Sequence, residues 1–389
     1  MLFHLLALAI ALATIPSSAD AKGKIVNILS RQLSTENVNV DAPAAVKDTI
    51  MKGSDAFDHD ERQLPIETMN TEYCFTSKEA LQIVLNAYID QECSTISDCA
   101  VCQKYGEIGT WCTTGITDMS SLFQDSYFND DISGWDVSSV IDMSNMFDSS
   151  AWYFDQPLDE WNVSSVTDMS SMFSLTLFNQ PLDGWDVGSV TTMEVMFTGA
   201  DFNQSLNGWN VSSVTNMAGM FYGAASFNQP IGEWKVGSVT TMDGMFSFAT
   251  SFNQPLDGWD VSKVTLMGSM FRNEEAFTIF GDKASTFNQP LNSWDVSMAT
   301  DMSDMFSYAI SLNQPLDGWN VSSVTSMYGM FADASGLKQN LCAWGQFSSF
   351  PYEDCSGMFS DSGCNYEDFP MQAITGPFCA SDCLTFAYI

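Results

Sequence analysis

The centre of this 389-residue chain is an internal repeat. The full unit reads F-N-Q-P-L-x-G-W-[DN]-V-S-S-V-T-x-M-x-x-M-F, and one clean copy runs from Phe178 to Phe197. A fixed period of about 25 residues is typical of stacked units, each of which buries its apolar side chains against its neighbours. The tryptophans that mark the copies are Trp135, Trp161, Trp185, Trp209, Trp234, Trp259, Trp294, Trp319 and Trp344.

Each unit carries two hydrophobic periodicities. In the first half, apolar residues flank polar ones between Leu182 and Val187, which predicts a short strand after Pro181. In the second half, apolar residues fall three and four apart from Val190 to Phe197, which predicts about two turns of helix. Because so short a helix is unstable alone, it must pack against adjacent units. The expected fold class is α/β, with a short strand and a short helix in each turn of a solenoid.

The repeated M-x-x-M pairs have two interpretations. Thioether sulfur is a ligand for Cu(I), so pairs such as Met143 and Met146 could bind a soft metal. However, each pair is followed by a phenylalanine on the same face, and methionine fills irregular gaps in apolar cores. We therefore interpret the methionines as core residues and predict no metal site.

The segment Val166–Phe173, V-T-D-M-S-S-M-F, resembles the repeat of the BspA-like leucine-rich-repeat surface proteins, and more closely their Met-rich branch. The resemblance covers about residues 110–360. It implies a right-handed, leucine-rich-repeat-like solenoid on or outside the cell. It carries over no active site, since the family shares a repeat architecture and not a catalytic motif. Bacterial members are often lipoproteins, but this chain has no cysteine near its expected cleavage site.

The flanking segments predict export and capped ends. Residues 1–21 have an apolar core and an A-x-A-type cleavage site, which indicates a signal peptide. Residues 22–70 are polar and aperiodic, as in a disordered stalk or propeptide. Residues 71–115 form the expected N-terminal cysteine-rich cap, with an amphipathic helix from Ser77 to Asp90. The solenoid is expected over 116–341 and a C-terminal cysteine-rich cap over 342–389.

All ten cysteines lie outside the central repeats, five on each side. In an oxidising compartment this predicts two stapled ends. The pair Cys99-x-x-Cys102 could indicate a metal or redox site, but it has no second pair and no βαβ context, so structural disulfides are favoured. Since five is odd, at least one thiol at each end is left over or pairs unexpectedly. We expect pairing at the N-terminal end among Cys93, Cys99, Cys102 and Cys112. At the C-terminal end, we expect disulfides that involve Cys364, Cys379 and Cys383.

Charge and histidine content exclude several functions. The net charge of −35 argues against nucleic acid, which requires clustered basic residues. The two histidines, His4 and His59, fall in the signal peptide and the polar stalk, so histidine-dependent catalytic triads and zinc sites are not expected. Repeated carboxylates would bind Ca²⁺ weakly at most, and the acidity is interpreted as a solubility feature. No cofactor is predicted.

Outward positions of the repeat are the candidates for recognition. They are the residue after each tryptophan from Trp135 to Trp319, the residue before each first methionine, and an insertion at Arg272–Lys283 that lengthens one repeat. Neutral variation in repeat length is the alternative explanation of the insertion. The candidate binding residues are Asp142, Asp168, Asp186, Asp260, Arg272, Glu274, Glu275, Lys283 and Asp295. The position after tryptophan is expected to face solvent, and three N-V-S sequons there predict glycosylation at Asn162, Asn210 and Asn320. Asn203 begins a further sequon in a segment that is expected to be less accessible.

These features predict a secreted or cell-surface repeat scaffold that mediates recognition or adhesion without catalysis. An extracellular protein or polysaccharide, or another copy of the chain, is the expected partner, and no membrane span remains after signal cleavage. The alternatives are a structural component of an envelope or extracellular matrix, and a secreted hydrolase with paired carboxylates. The hydrolase is disfavoured because the acidic residues recur in register and do not form one unique constellation.

Overall fold

The structure is a computed structural model that describes residues 74–95, 99–124, 126–148, 154–274, 285–347, 349–351, 354–364 and 379. The predicted signal peptide and stalk lie outside the described residues, as do Glu275, Lys283 and Cys383. Two α-helices precede the repeats: α1 spans Lys78–Asp90 and α2 spans Ala100–Tyr105. Short 3₁₀ helices follow at Ile108–Thr110 and, beyond the repeats, at Cys342–Gln346.

The helix predicted in the N-terminal segment is present. Its N-cap is Ser77, whose side chain accepts a hydrogen bond from the backbone N–H of Ala80. The buried face of α1 consists of Leu81, Val84, Leu85 and Tyr88. Tyr88 meets the ring of Trp111 edge-on at a centroid distance of 5.7 Å. Because Trp111 in turn stacks on Trp135, α1 covers the first end of the repeat core.

Successive repeats stack in register. The residue before the first methionine of each repeat forms a single parallel β-bridge to its equivalent in the next. Around Thr192, for example, Met169 N–H donates to the carbonyl of Thr192, and Thr191 N–H donates to the carbonyl of Thr167. The bridged residues, in order along the stack, are Asp118, Asp142, Asp168, Thr192, Asn216, Thr241, Leu266, Asp301 and Ser326.

The M-x-x-M-F segments form consecutive β-turns and not the predicted helices. Met196 N–H donates to the carbonyl of Met193, and the residue before Met196 has a left-handed backbone, with φ +52° at Val195. A left-handed third residue is the mark of a type II turn and is incompatible with an α-helix. Alternate N–H groups, including those of Met193 and Val195, donate to the carbonyls of the next repeat. The prediction of a short helix in each repeat is therefore wrong, because these donors are used between repeats.

The predicted strand in the first half of each unit is also replaced by turns. Trp185 N–H donates to the carbonyl of Leu182, and Val190 N–H donates to the carbonyl of Val187. Each bond closes a tight turn, so the apolar residues of this half point inward from turn corners and not from one face of a strand. In the described part of 116–341, strand pairing is confined to the single bridge residues. The predicted handedness and leucine-rich-repeat character of the stack stay predictions.

The core consists of columns of equivalent side chains. The paired methionines and the phenylalanine that follows them are buried, as predicted from their spacing. Neighbouring phenylalanine rings stack at 5.3–5.7 Å between centroids. Each tryptophan from Trp135 to Trp344 donates its indole N–H to a backbone carbonyl of the preceding repeat, at 2.8–3.2 Å. The repeated tryptophan therefore contributes both apolar area and a satisfied buried donor.

The repeated Asn-Gln pair explains another fixed part of the motif. Asn179 Oδ1 accepts the backbone N–H of Asn203, and the same bond recurs from Asn203 to Asn228 and onward. The following glutamine adds a second bond, as where Gln229 Nε2 donates to the carbonyl of Asn203. These side chains satisfy backbone groups that a continuous strand would otherwise pair.

The ten-residue excess near Arg272 does not interrupt the stack. Trp259 and Trp294 lie on either side of it, and their rings remain parallel within 3° at 6.3 Å. Phe271 likewise stacks on Phe306 at 5.5 Å. The additional residues therefore leave the core register unchanged, as expected for an insertion at the surface of a repeat array.

Disulfides in the described residues connect cysteines of the same end of the chain. Cys93 pairs with Cys99, and Cys364 pairs with Cys379. Cys112 bonds to Cys74, which corrects the expectation that it pairs with Cys93, Cys99 or Cys102. These two cysteines pair because their backbones form a parallel bridge, which places their Cα atoms 4.5 Å apart. Cys102 is a thiol, which corrects the expectation that it pairs with Cys93, Cys99 or Cys112, because Cys93 and Cys99 pair with each other and Cys112 pairs with Cys74. Cys355 is also a thiol, and Cys342 is disulfide-bonded.

Candidate recognition surface

The residue after each repeat tryptophan from Trp135 to Trp319 is exposed, which confirms the predicted facing of this position. In the aspartate and asparagine members, the side-chain Oδ1 accepts the N–H of the residue two positions on, at 3.0–3.3 Å, whereas Lys235 has no such acceptor. This Asx-turn fixes the side chain against its own backbone. We call this set the Asx column, and its members are Asp136, Asn162, Asp186, Asn210, Lys235, Asp260, Asp295 and Asn320.

Two columns of hydroxyl residues run beside the Asx column. Threonine Oγ1 donates to a backbone carbonyl of the preceding repeat at 2.9–3.3 Å, as where Thr191 bonds Thr167. Two residues earlier, Ser189 Oγ donates to the carbonyl of Ser164, and the same contact recurs at Ser213. We call the first set the Thr column: Thr167, Thr191, Thr215, Thr240, Thr265, Thr300 and Thr325. The second set, the Ser column, comprises Ser165, Ser189 and Ser213, which make this contact, and Ser238 and Ser323, which occupy the same place in the repeat motif.

The hydroxyl columns were missed at the sequence level. The pattern that could have predicted them is the recurrent S-V-T, in which a buried valine separates two outward hydroxyl residues. Equivalent residues of neighbouring repeats are about 4.8 Å apart where parallel backbone pairing holds them. The result is a regular polar surface on which most side chains are fixed by intramolecular hydrogen bonds.

Two carboxyl groups of the Asx column are stabilised in their charged form by hydrogen bonds. Hydrogen bonds from Ser138 lower the pKa of Asp136 below its usual range, and those from Ser262 do the same for Asp260. The cause is donation to the charged form of the carboxyl. The column therefore presents negative charge at neutral pH, interrupted by neutral asparagines and by Lys235.

The candidate residues Asp142 and Asp168 lie elsewhere, in the bridged column. They are half-buried, and their Oδ1 atoms accept the N–H groups of Ser144 and Ser170. Their neighbour Asp118 contacts Lys78 of α1 at 2.8 Å, so the cap neutralises the first end of this column. Among the described candidates, the structure thus places Asp142 and Asp168 on one column and Asp186, Asp260 and Asp295 on another.

The insertion begins with a polar cluster around Arg272. Arg272 is buried, and its guanidinium contacts the Glu274 carboxylate at 2.8 Å. Burial raises the pKa of Asp304 nearby, although the positive charge of Arg272 opposes this effect. The adjoining cavity, which Arg272 and Thr250 help to line, has a volume of about 10 Å³. It has room for roughly one water molecule and not for an organic substrate.

The predicted sequon positions are exposed. Asn162, Asn210 and Asn320 each use Oδ1 in the Asx-turn, which engages the oxygen and not the amide nitrogen that a glycan would join. In contrast, Asn203 is half-buried, and its Oδ1 accepts both the N–H of Asn228 and the amide of Gln229. Asn203 is therefore less accessible to a glycosylating enzyme than the other three sequon residues, because it is partly buried between repeats.

A family model described as "Mycoplasma protein of unknown function, DUF285" matches the chain three times, at residues 93–207, 175–280 and 278–369. No curated protein and no solved structure matches the chain. Within the described residues, no helix has both the length and the apolar character needed to cross a bilayer. Since the three matches together span most of the sequence, the chain belongs to this family, the BspA-like repeat family that its M-x-x-M-F motif resembles.

Proposed function

We propose that this protein is an exported, non-catalytic scaffold of the Met-rich branch, and that its Asx and hydroxyl columns recognise an extracellular partner. The main support is the fixing of these outward side chains by hydrogen bonds to the backbone. Binding to groups that are already ordered loses less conformational entropy than binding to freely rotating ones. A surface that repeats at about 4.8 Å suits an extended or multivalent partner, because each repeat adds an equivalent contact.

Export is supported by the disulfides at both ends, since such bonds persist mainly in oxidising compartments. The stacked turns also suit a solenoid, for which we retain the right-handed, leucine-rich-repeat-like form as a proposal. We expect polysaccharide or a surface protein as the partner, with self-association as the basis of a structural role in an envelope or matrix. A hydrolase finds little support in the cavity beside Arg272, because that cavity is too small for a substrate.

A charge-matched pair of variants tests the proposed surface. In the first, Asp186, Asp260 and Asp295 are changed to Asn, which removes three charges but keeps the Oδ1 acceptor of each Asx-turn. In the control, the exposed residues Asp183, Asp257 and Asp317, which precede the glycine in three repeats, are changed to Asn. Both variants lose the same net charge at repeated exposed positions.

Binding is measured by co-sedimentation with insoluble polysaccharides, namely cellulose and chitosan, and by capture on immobilised basic protein, each with Ca²⁺ and with chelator. Sedimentation velocity on the protein alone measures self-association. We expect the Asx-column variant to lose at least about tenfold in affinity while the control retains it, as for loss of about 1.4 kcal/mol. An equal loss of affinity in both variants would mean that binding depends on the total charge and not on the Asx column, which would contradict the proposed surface. If the protein neither bound these partners nor self-associated, the scaffold proposal would be refuted.

A further inference from the structure

The N-terminal cap contains a disulfide and a thiol in close proximity. The sulfur atoms of Cys93, Cys99 and Cys102 all lie within 4.8 Å of one another. Cys93 and Cys99 form the disulfide, while Cys102 is a thiol. Cys93 follows α1, and Cys102 lies in the first turn of α2, so the cluster spans the junction between the two cap helices.

The two disulfide sulfurs differ in their surroundings. Cys99 is the N-cap of α2, and its Sγ accepts the backbone N–H of Cys102 at 3.3 Å. A hydrogen bond of this kind stabilises a thiolate more than a disulfide sulfur, which makes Cys99 the better leaving group. Attack on Cys93 is therefore the favoured direction of exchange.

We propose that the cap is a site of intramolecular thiol–disulfide exchange, in which Cys102 attacks Cys93 and displaces Cys99. The Cys102 thiolate forms a new bond to Cys93 Sγ as the bond between Cys93 and Cys99 breaks. The electron pair of the broken bond leaves on Cys99 Sγ, which takes up the proton that Cys102 released. The reaction is redox-neutral and requires no external oxidant or reductant.

Exchange changes which thiol the protein presents. Cys102 is half-buried, whereas Cys99 is only 2% exposed. The first disulfide form therefore offers an accessible thiol to reagents or partner thiols, and the second form hides it. The cap thus has two cross-linked states that differ in thiol reactivity, independently of what the repeats bind.

The groups around Cys102 set the pH dependence of exchange. Burial raises the pKa of Cys102, and the nearby carboxylates of Glu107 and Asp130 raise it further. The Tyr88 hydroxyl on α1, which donates a hydrogen bond to Asp130, also lies near Cys102. Since only the thiolate attacks, the exchange rate should rise about tenfold for each pH unit until the pH reaches the pKa of Cys102.

Peptide mapping distinguishes the two forms. The full-length oxidised protein is incubated at pH 7 and at pH 9, quenched with acid, unfolded in mildly acidic guanidinium and alkylated there with N-ethylmaleimide, so that buried and exposed thiols are both labelled. Trypsin combined with cleavage before aspartate separates Asp90–Ser97, which contains Cys93, from Asp98–Lys104, which contains Cys99 and Cys102. We expect these peptides to be cross-linked throughout, with the alkyl group on Cys102 initially and increasingly on Cys99 after incubation, faster at pH 9.

Two variants test the roles assigned to Cys102 and Cys99. Cys102→Ser should lock the original bond and abolish labelling of the Cys99 peptide. Cys99→Ser should form a bond between Cys93 and Cys102 and retain the melting temperature of the cap, since the three sulfurs are already close. Label confined to Cys102 after a day at pH 9 would overturn the proposal, as would a bond between Cys99 and Cys102 that leaves Cys93 alkylated.

Discussion

Adding one methyl group at Gly219 tests whether the left-handed turns hold the stack together. Gly219 is the third residue of an M-x-x-M turn, with φ +61°. A Cβ built there would lie 2.8 Å from Cγ1 of Val195 in the preceding repeat. Gly244 occupies the same place one repeat later with the same φ of +61°, but a Cβ there would meet only Tyr222 at 3.7 Å. The two glycines therefore share backbone geometry and differ in space.

The expected magnitudes follow from this comparison. Alanine in the left-handed region costs roughly 1–2 kcal/mol, and the stiffer unfolded chain offsets about 0.4–1 kcal/mol of that cost. Gly244→Ala should show only this net effect, because 3.7 Å is an ordinary contact. Gly219→Ala should lower the free energy of unfolding by a further ~1–3 kcal/mol, the usual cost of an overpacked site.

Urea unfolding monitored by tryptophan fluorescence and circular dichroism measures both variants, with coincidence of the probes as the test for a single transition. The added variant Val195→Ala removes Cγ1, so Gly219→Ala in that background should lose its excess cost. Equal destabilisation by Gly219→Ala and Gly244→Ala, or no recovery in the double variant, would refute the assigned packing.

Three further predictions concern the core and the caps. Trp209→Phe removes the indole donor that bonds the Leu182 carbonyl at 2.8 Å and should lower the urea midpoint, by a free energy of about 1–3 kcal/mol; an unchanged midpoint would mean that the bond is unimportant. Replacing Cys74 and Cys112 by Ser opens a cross-link with a sequence separation of 38 and should destabilise the cap by about 4 kcal/mol, measured by calorimetry against the oxidised wild-type protein; equal stability of the two proteins would contradict this assignment. Burial would raise the pKa of Asp118, but hydrogen bonds from Lys78 and Ser120 outweigh it and lower the pKa. Its stabilising effect should be complete above the unfolded pKa of about 4 and vanish as the pH falls through the lower folded value, so the stability gap between wild type and Asp118→Asn should close on acidification and not on alkalinisation.

Part of the candidate surface was accessible from sequence. The position after tryptophan was expected to face solvent because its neighbours are apolar and fixed while it varies among polar residues, and Asp186 and Asn210 are indeed exposed. The pairing of Thr191 and Ser189 hydroxyls with the preceding repeat was not predicted. These bonds join residues about 25 positions apart, and their geometry depends on where the next repeat lies.

The sequence by itself determined the period of the repeat, its register and its buried residues, because apolar side chains must meet their equivalents when identical units stack. It did not determine the local backbone. Apolar residues three apart, such as Met193 and Met196, arise equally from a helix and from successive turns, and only glycines such as Gly219 hinted at a left-handed turn. The tertiary structure decided between them, since a neighbouring repeat offers carbonyl acceptors to the N–H groups that an isolated helix would have to satisfy internally. The partner of Cys112 was decided in the same way, by a bridge between residues distant in sequence.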